Sequence, residues 1–89
     1  IRMKNNYSLI FFFSYWDCAT KTRSRFVDRC KELGIKYELV DVETEEGLEI
    51  ASRYNIKMCP RIVLLSNHKY VATFNGRNSM GKIEAILKG

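Results

Sequence analysis

The stretch Ser8–Tyr15, SLIFFFSY, decides the fold. It is a nearly continuous run of apolar and aromatic side chains. It lacks the alternation of polar residues that a strand with one face in water shows. Such a run is typical of a central strand that is covered on both faces. It is far too short to cross a membrane, which takes about twenty residues. We therefore predict a buried strand in the middle of a sheet.

Downstream of this strand, apolar residues at helical spacing predict three helices. The first begins at about Asp17 and ends at Gly34, a residue that suits a helix C-terminus. Thr44 is expected to cap the second, which Asn55 closes, and Ser79 opens the third. The predicted inward-facing residues of the three helices are Phe26, Cys30 and Leu33; Leu48, Ala51 and Tyr54; and Ile83, Ile86 and Leu87.

Three further strands are predicted between and after these helices. Ile35–Val42 alternates in polarity, and Ile62–Leu65 and Tyr70–Phe74 flank a short turn in the manner of a hairpin. A right-handed crossover makes the first two strands parallel, and the hairpin adds antiparallel strands. The predicted class is α/β, with a four-stranded mixed sheet in the order β-α-β-α-β-β-α and helices on both faces. The whole chain, residues 1–89, is expected to form one domain, with residues 1–6 as a poorly ordered N-terminal segment.

The composition restricts the classes of partner. The net charge of +5 comes from lysines and arginines that are spread along the chain, so we expect no nucleic-acid partner. The apolar run before Trp16 is too short to span a membrane, so we expect no membrane partner either, and we expect the protein to be a monomer. Three cysteines cannot form a complete set of disulfides. Since no secretory signal is recognisable, they indicate a reducing compartment, and we predict a cytoplasmic location. Met3 followed by Lys4 is typical of a natural start, so Ile1 and Arg2 are expected to be additions.

The cysteines stand at positions 18, 30 and 59 and require separate explanations. Cys18 lies at a predicted helix N-terminus, where the helix dipole lowers a thiol pKa; Lys21 favours the thiolate and Asp17 opposes it. Cys30 repeats with apolar residues on one helix face, which indicates a structural role. We expect no metal site and no cofactor, because neither a Cys-x-x-Cys nor a histidine-rich spacing occurs.

Several segments together resemble the thioredoxin-like superfamily, as a small domain of thioredoxin or glutaredoxin type. A phenylalanine-rich strand runs into Trp16 and a cysteine-containing helix start. The segment Tyr54–Pro60, YNIKMCP, resembles the thioredoxin pattern Tyr-Gly-Ile-x-x-Ile-Pro, and Val71–Gly76, VATFNG, resembles the last strand with its glycine. The similarity covers about Ser8 to Lys88 and lacks the additional N-terminal strand and helix of full thioredoxins. The resemblance implies the thioredoxin fold, with Pro60 as a cis-proline beside the active site.

The active-site motif departs from the family pattern. A gapless match puts Asp17 at the position of the nucleophilic cysteine and Thr20 at that of the resolving cysteine. A one-residue insertion after Trp16 would instead make Cys18 the nucleophile and put Lys21 at the resolving position. Both flanks match without gaps, which favours the first alignment. Phe11 and Leu39 stand about where thioredoxins have a buried acid and its lysine partner, so the usual pair of proton-handling side chains is missing.

Two functions follow from the resemblance. In the first, the chain is an atypical thiol-disulfide oxidoreductase that acts on protein or peptide thiols and disulfides, with Cys18 as nucleophile and Cys59 as candidate partner thiol. In the second, it is a non-catalytic module that binds an extended peptide beside Pro60. The predicted substrate-binding residues are Trp16, Asp17, Met58, Pro60 and Gly76. Trp16 is either a platform for a peptide or part of the packing at the strand end. Whether the chain is an enzyme stays open at this point.

Overall fold

The computed structural model describes residues 6–14, 20–77 and 79–88. Within them the elements follow one another as β1 (Tyr7–Phe13), α1 (Thr20–Leu33), β2 (Lys36–Asp41), α2 (Glu45–Arg53), β3 (Arg61–Ser66), β4 (Lys69–Asn75) and α3 (Met80–Lys88). This is the predicted order. The strand ends differ from the predicted ones by one or two residues, and Tyr15, the predicted end of the first strand, lies outside the described residues.

The four strands form one mixed sheet in the order β2-β1-β3-β4. β1 is parallel to β2 and antiparallel to β3, and β3 and β4 form the antiparallel hairpin. Because β1 has a neighbour on each side and helices above and below, none of its faces meets water. This explains why Leu9, Ile10, Phe11 and Phe12 are all buried and why the strand has no polar alternation.

Two hydrophobic cores lie on opposite faces of the sheet. The first joins Phe11 of β1 to residues of α1 and α3, and the second joins Phe12 to residues of α2. The predicted cover of helices on both faces is therefore confirmed. The helix residues of the first core are Phe26, Cys30, Leu33, Ile83 and Leu87.

The chain reversals depend on local backbone chemistry. Gly34 ends α1 with a φ of 68°, a left-handed conformation that glycine adopts at little cost. The Oγ of Thr44 accepts a hydrogen bond of 2.9 Å from the backbone N–H of Gly47, so Thr44 caps α2 as predicted. Asn67 and His68 both have positive φ, at 52° and 66°, which is typical of the two-residue turn of a tight hairpin.

Two predicted inward-facing residues point to solvent. Leu48 is 59% exposed, because α2 turns Gly47 and Ala51 towards the sheet. Gly47 lies so close to β2 that an added Cβ would come 1.8 Å from the carbonyl oxygen of Asp41, and this fixes the orientation of the helix. In α3, Ile83 and Leu87 fill the core and leave Ile86 37% exposed at its margin. The expectation for Leu48 and Ile86 was therefore wrong.

Residues 1–5 of the predicted N-terminal segment lie outside the described residues. Asn6 is described, and its carbonyl oxygen accepts a hydrogen bond of 2.7 Å from the backbone N–H of Asn67 in the hairpin turn. None of the helices within the described ranges is both long enough and apolar enough to span a membrane.

Candidate functional site

The predicted site consists of two segments, of which the structure describes one. Trp16, Asp17 and Cys18 lie outside the described residues. They belong to the connection between the end of β1 at Phe13 and the beginning of α1 at Thr20. The other predicted site residues are described: Met58, Cys59, Pro60 and Gly76.

The segment Met58–Pro60 lies at the end of the sheet where β1 finishes. Arg61, the first residue of β3, is paired with Phe12, the next-to-last residue of β1. Pro60 precedes Arg61 and therefore lies next to the end of β1, where the connection to α1 begins. The peptide bond between Cys59 and Pro60 is cis.

Gly76 packs directly on Pro60. Arg61 is also paired with Asn75, the last residue of β4. Pro60, which precedes β3, therefore meets Gly76, which follows β4. The backbone N–H of Gly76 donates a hydrogen bond of 3.0 Å to the carbonyl oxygen of Pro60. A Cβ on Gly76 would come 2.6 Å from the Cβ of Pro60, closer than real side chains approach, so this contact requires glycine.

Cys59 is half-buried and packs against the second core on the side of α2. Its neighbour Met58 is 64% exposed, so an apolar side chain stands in water beside the thiol. Arg61 fixes the segment from the strand side. Its Nη1 donates a hydrogen bond of 3.0 Å to the carbonyl oxygen of Pro60, and its Nη2 lies 3.6 Å from the sulfur of Met58.

The first turn of α1 is positively charged. It contains Lys21 and Arg23 and no acidic residue. The guanidinium of Arg23 lies 4.5 Å from the centre of the Phe13 ring, a cation–π contact that holds this charge near the end of β1. The charges add to the positive end of the helix dipole, and all of these effects stabilise a thiolate close to the beginning of the helix.

Cys30 belongs to the first core and has no exposed surface. Burial raises the pKa of its thiol to about 12. At neutral pH the side chain is therefore a protonated, inaccessible thiol, in keeping with the structural role predicted from its spacing.

Phe11 and Leu39 are register partners on β1 and β2. Phe11 is fully buried, and its ring centre lies 4.9 Å from that of Phe26. An aromatic contact thus occupies the place where the family resemblance implies a buried acid. A proton that moves at this site must come from solvent or from another side chain.

Two arginines near the site, Arg23 and Arg77, were not predicted from the sequence. No sequence pattern marks them. Arg23 is placed near the site by its contact with Phe13 of β1, and Arg77 by the packing of its neighbour Gly76 on Pro60. Arg77 is exposed and directly follows Gly76.

Comparison with known proteins agrees with this architecture. The chain matches the family model described as thioredoxin over residues 1–89. The chain belongs to the thioredoxin family. A curated relative in the family, thioredoxin 2 of Plasmodium falciparum (isolate 3D7), is 27% identical over 89 residues, which make up 99% of this chain and 57% of that protein. The chain thus spans just over half the length of this relative.

Solved thioredoxin structures share the fold. The X-ray structure of Fasciola hepatica thioredoxin superimposes with a TM-score of 0.79 at 25% identity, over 96% of this chain and 82% of that one. Reduced Schistosoma mansoni thioredoxin pre-protein gives a TM-score of 0.77 at 29% identity, over 96% and 79% of the two chains. The predicted thioredoxin fold, with its four-stranded mixed sheet, is confirmed.

Proposed function

We propose that this chain is an atypical thioredoxin-like thiol-disulfide oxidoreductase, with Cys18 as nucleophile and Cys59 as partner thiol. The observation that carries the proposal is the position of Cys59 directly before Pro60, at the end of the sheet from which the chain enters the segment containing Cys18. The two cysteines are 41 positions apart in sequence. They would replace the neighbouring pair of a Cys-x-x-Cys motif, which this sequence lacks.

Charge supports Cys18 as the nucleophile. A thiolate is the reactive form of cysteine, and Cys18 comes two residues before a helix whose first turn contains Lys21 and Arg23 and no carboxylate. Asp17 is the one acidic neighbour in the sequence and opposes this effect. Lys21 and Arg23 at the helix start outnumber it, so the proposal includes a Cys18 thiol that is more acidic than an ordinary cysteine.

The proposed reaction balances as two successive thiol–disulfide exchanges. The Cys18 thiolate attacks one sulfur of a substrate disulfide, the substrate S–S bond breaks, and the departing thiolate takes a proton from water. The Cys59 thiolate then attacks the Cys18 sulfur of the mixed disulfide and releases the second substrate thiol. The substrate gains two electrons, and the protein is left with a Cys18–Cys59 disulfide. An external dithiol reductant returns it to the reduced state.

The proposed substrate is a protein or peptide disulfide in an extended segment beside Pro60. Exposed Met58 offers an apolar contact next to the thiol, and Gly76 adds no side chain where it packs on Pro60. Trp16 and Asp17 remain the predicted contacts from the other segment. The cytoplasmic location and the monomeric state also remain predictions.

The test is turnover of a fluorescence-quenched peptide disulfide with excess dithiothreitol. The wild type is expected to catalyse many turnovers. Cys18→Ser should lose nearly all activity. In a single-turnover reaction of the reduced protein without dithiothreitol, Cys59→Ser should accumulate a mixed disulfide on Cys18 that mass spectrometry detects as an adduct. Cys30→Ala is the matched control, since that thiol is buried, and it should keep the wild-type rate.

Two results would overturn the proposal in different ways. Equal turnover by the wild type and Cys59→Ser, without an adduct, would remove Cys59 from the mechanism. Equal and negligible rates in all four proteins, with tight binding of the peptide, would establish the non-catalytic module instead.

A further inference from the structure

The side chain of Met58 stands in water beside the site of the proposed reaction. Of its surface, 64% is exposed, the largest fraction for any large apolar side chain among the described residues. Its neighbours in the chain are exposed Lys57 and half-buried Cys59, the candidate partner thiol. A thioether in this position is a soft apolar surface, and an oxidant in solution has access to the side chain.

The sulfur of Met58 lies next to a fixed guanidinium. Nη2 of Arg61 is 3.6 Å from this sulfur, and Nη1 of the same group donates a hydrogen bond of 3.0 Å to the carbonyl oxygen of Pro60. That oxygen also accepts the hydrogen bond from Gly76, so Arg61 is held against the rigid part of the site. Because a thioether sulfur is a weak acceptor, Nη2 of Arg61 is placed beside a group that it binds only weakly.

The other described methionine has a different environment. Met80, the first residue of α3, is half-buried and packs against the first core. Met3 lies outside the described residues. Oxidation of Met80 would add a polar oxygen at the margin of the core and should lower the stability of the fold. Oxidation of Met58 would leave the core unchanged and alter only the surface beside Pro60.

We propose that Met58 is a site of reversible oxidation by peroxide, and that its sulfoxide weakens the binding of apolar substrate segments beside Pro60. The inference rests on the proposed function and describes the regulation of that same site. Hydrogen peroxide transfers one oxygen atom to the sulfur: the O–O bond breaks, an S–O bond forms, the sulfur loses two electrons and the peroxide is reduced to water. A methionine sulfoxide reductase reverses the change, with a dithiol as electron donor and water as the product that takes the oxygen.

The added oxygen changes both the polarity and the hydrogen bonding of the side chain. A sulfoxide oxygen accepts hydrogen bonds much better than a thioether sulfur, and Nη2 of Arg61 is already in place to donate to it. This bond would hold a polar group where Met58 otherwise offers an apolar contact. A leucine of the substrate that packs there would remove water from the sulfoxide without replacing its hydrogen bonds.

The first test is which methionine reacts. The protein used carries Cys18→Ser and Cys59→Ser, and its remaining cysteine, Cys30, has no exposed surface. The folded protein is treated with hydrogen peroxide, and mass spectrometry of the digest locates the mass increase of one oxygen. Since oxidation follows exposure, Met58 should react about tenfold faster than Met80. Equal rates for the two methionines in the folded protein would overturn the proposal.

The second test is binding, measured by fluorescence anisotropy with a labelled peptide that has leucines on both sides of a serine. In a second peptide, glutamines replace the leucines. Oxidation should raise the Kd of the leucine peptide about tenfold, the size expected from desolvation of one polar group, and change that of the glutamine peptide much less. A methionine sulfoxide reductase with dithiothreitol should restore the original Kd. An unchanged Kd of the leucine peptide after complete oxidation of Met58 would contradict the proposal.

Variants in the same background assign the effect to one side chain. Met58→Leu should give the same Kd before and after peroxide, and Met58→Gln should bind the leucine peptide weakly without any treatment. Met80→Leu is the matched control and should respond to peroxide as its parent does. Circular dichroism verifies that the variants are folded. A response to peroxide that persists in Met58→Leu would place the effect elsewhere and refute the role of Met58.

Failure of the proposed reaction and failure of this inference give different results. The protein used for binding has neither Cys18 nor Cys59, so absence of turnover in the wild type would leave the effect of oxidation on the Kd in place. Conversely, if the wild type reduces disulfides but the leucine peptide does not bind, or binds equally well after oxidation, the inference is wrong and the reaction stands.

Discussion

Replacement of Gly76 by alanine should destabilise the protein and disturb its candidate site. The added Cβ would lie 2.6 Å from the Cβ and 2.9 Å from the carbonyl carbon of Pro60. Ordinary contacts of this kind are 3.4–4 Å long, so the Pro60 segment and the end of β4 must move apart by nearly 1 Å. The same movement stretches the hydrogen bond from the Gly76 N–H to the Pro60 carbonyl, now 3.0 Å.

The magnitude follows from the rigidity of both partners. Pro60 is buried, its ring is stiff, and its carbonyl oxygen also accepts a hydrogen bond from Arg61, so the clash cannot be relieved by a side-chain rotation. Overpacking by one methyl group in such places costs about 1–3 kcal/mol. For a domain of this size that loss lowers the midpoint of thermal unfolding by about 5–20 °C. Gly76 does not have a positive φ, so the effect is steric and does not arise from the backbone conformation.

Thermal and urea unfolding followed by circular dichroism measure this effect. Gly81→Ala is the matched control: its Cβ meets nothing within 4 Å, and alanine in a helix is favoured over glycine by up to about 1 kcal/mol. The control should therefore keep or raise the midpoint. Gly76→Ala should also slow reduction of the peptide disulfide. A Gly76→Ala protein that unfolds at the same urea concentration as the wild type would refute the contact with Pro60.

Three further predictions concern the core, a helix cap and an ion pair. Cys30→Ser buries a hydroxyl in place of an apolar thiol and should cost about 1–3 kcal/mol in urea unfolding, whereas wild-type Cys30 should resist a thiol reagent at pH 7 until the protein unfolds. Thr44→Ala removes the cap of α2 and should cost about 1 kcal/mol, whereas a serine there should retain most of it. Arg29 lowers the pKa of Glu84, so the stability that this carboxylate contributes is present above the unfolded value of about 4.3 and is lost as the pH falls through the lower folded value. Glu84→Gln should therefore lower the thermal midpoint at pH 7 more than Glu49→Gln, whose ion pair is more exposed, and the difference should shrink as the pH falls below the unfolded value.

Most of the fold was predictable because its signals are local. The unbroken run around Phe11 and Phe12 predicts a strand with two covered faces, and the structure has one core on each. Gly34 and Thr44 mark helix ends through backbone chemistry that acts within a few residues. Leu48 was assigned wrongly because hydrophobicity cannot show that a glycine faces the sheet. The close approach of Gly47 to Asp41 decides the orientation of α2, and this contact joins two elements.

The site was less predictable than the fold. The resemblance to thioredoxins drew attention to Cys59, Pro60 and Gly76, and the structure brings the last two into contact. A groove between α1 and α3 that Arg25 and Arg77 both line could not be predicted, because the two residues are 52 positions apart in sequence and come together only through the packing of α1 against the chain that follows β4. Nothing in the local sequence around either arginine indicates that the two lie on the same surface.

The most direct test of the proposed thiol pair is disulfide mapping after mild oxidation. The reduced protein is treated with a limited amount of diamide, the remaining thiols are alkylated under denaturing conditions, and the digest is analysed by mass spectrometry. We expect a disulfide between the peptides of Cys18 and Cys59 and a single alkylated thiol, Cys30. Alkylation of both Cys18 and Cys59 under conditions that oxidise a control dithiol would contradict the proposal.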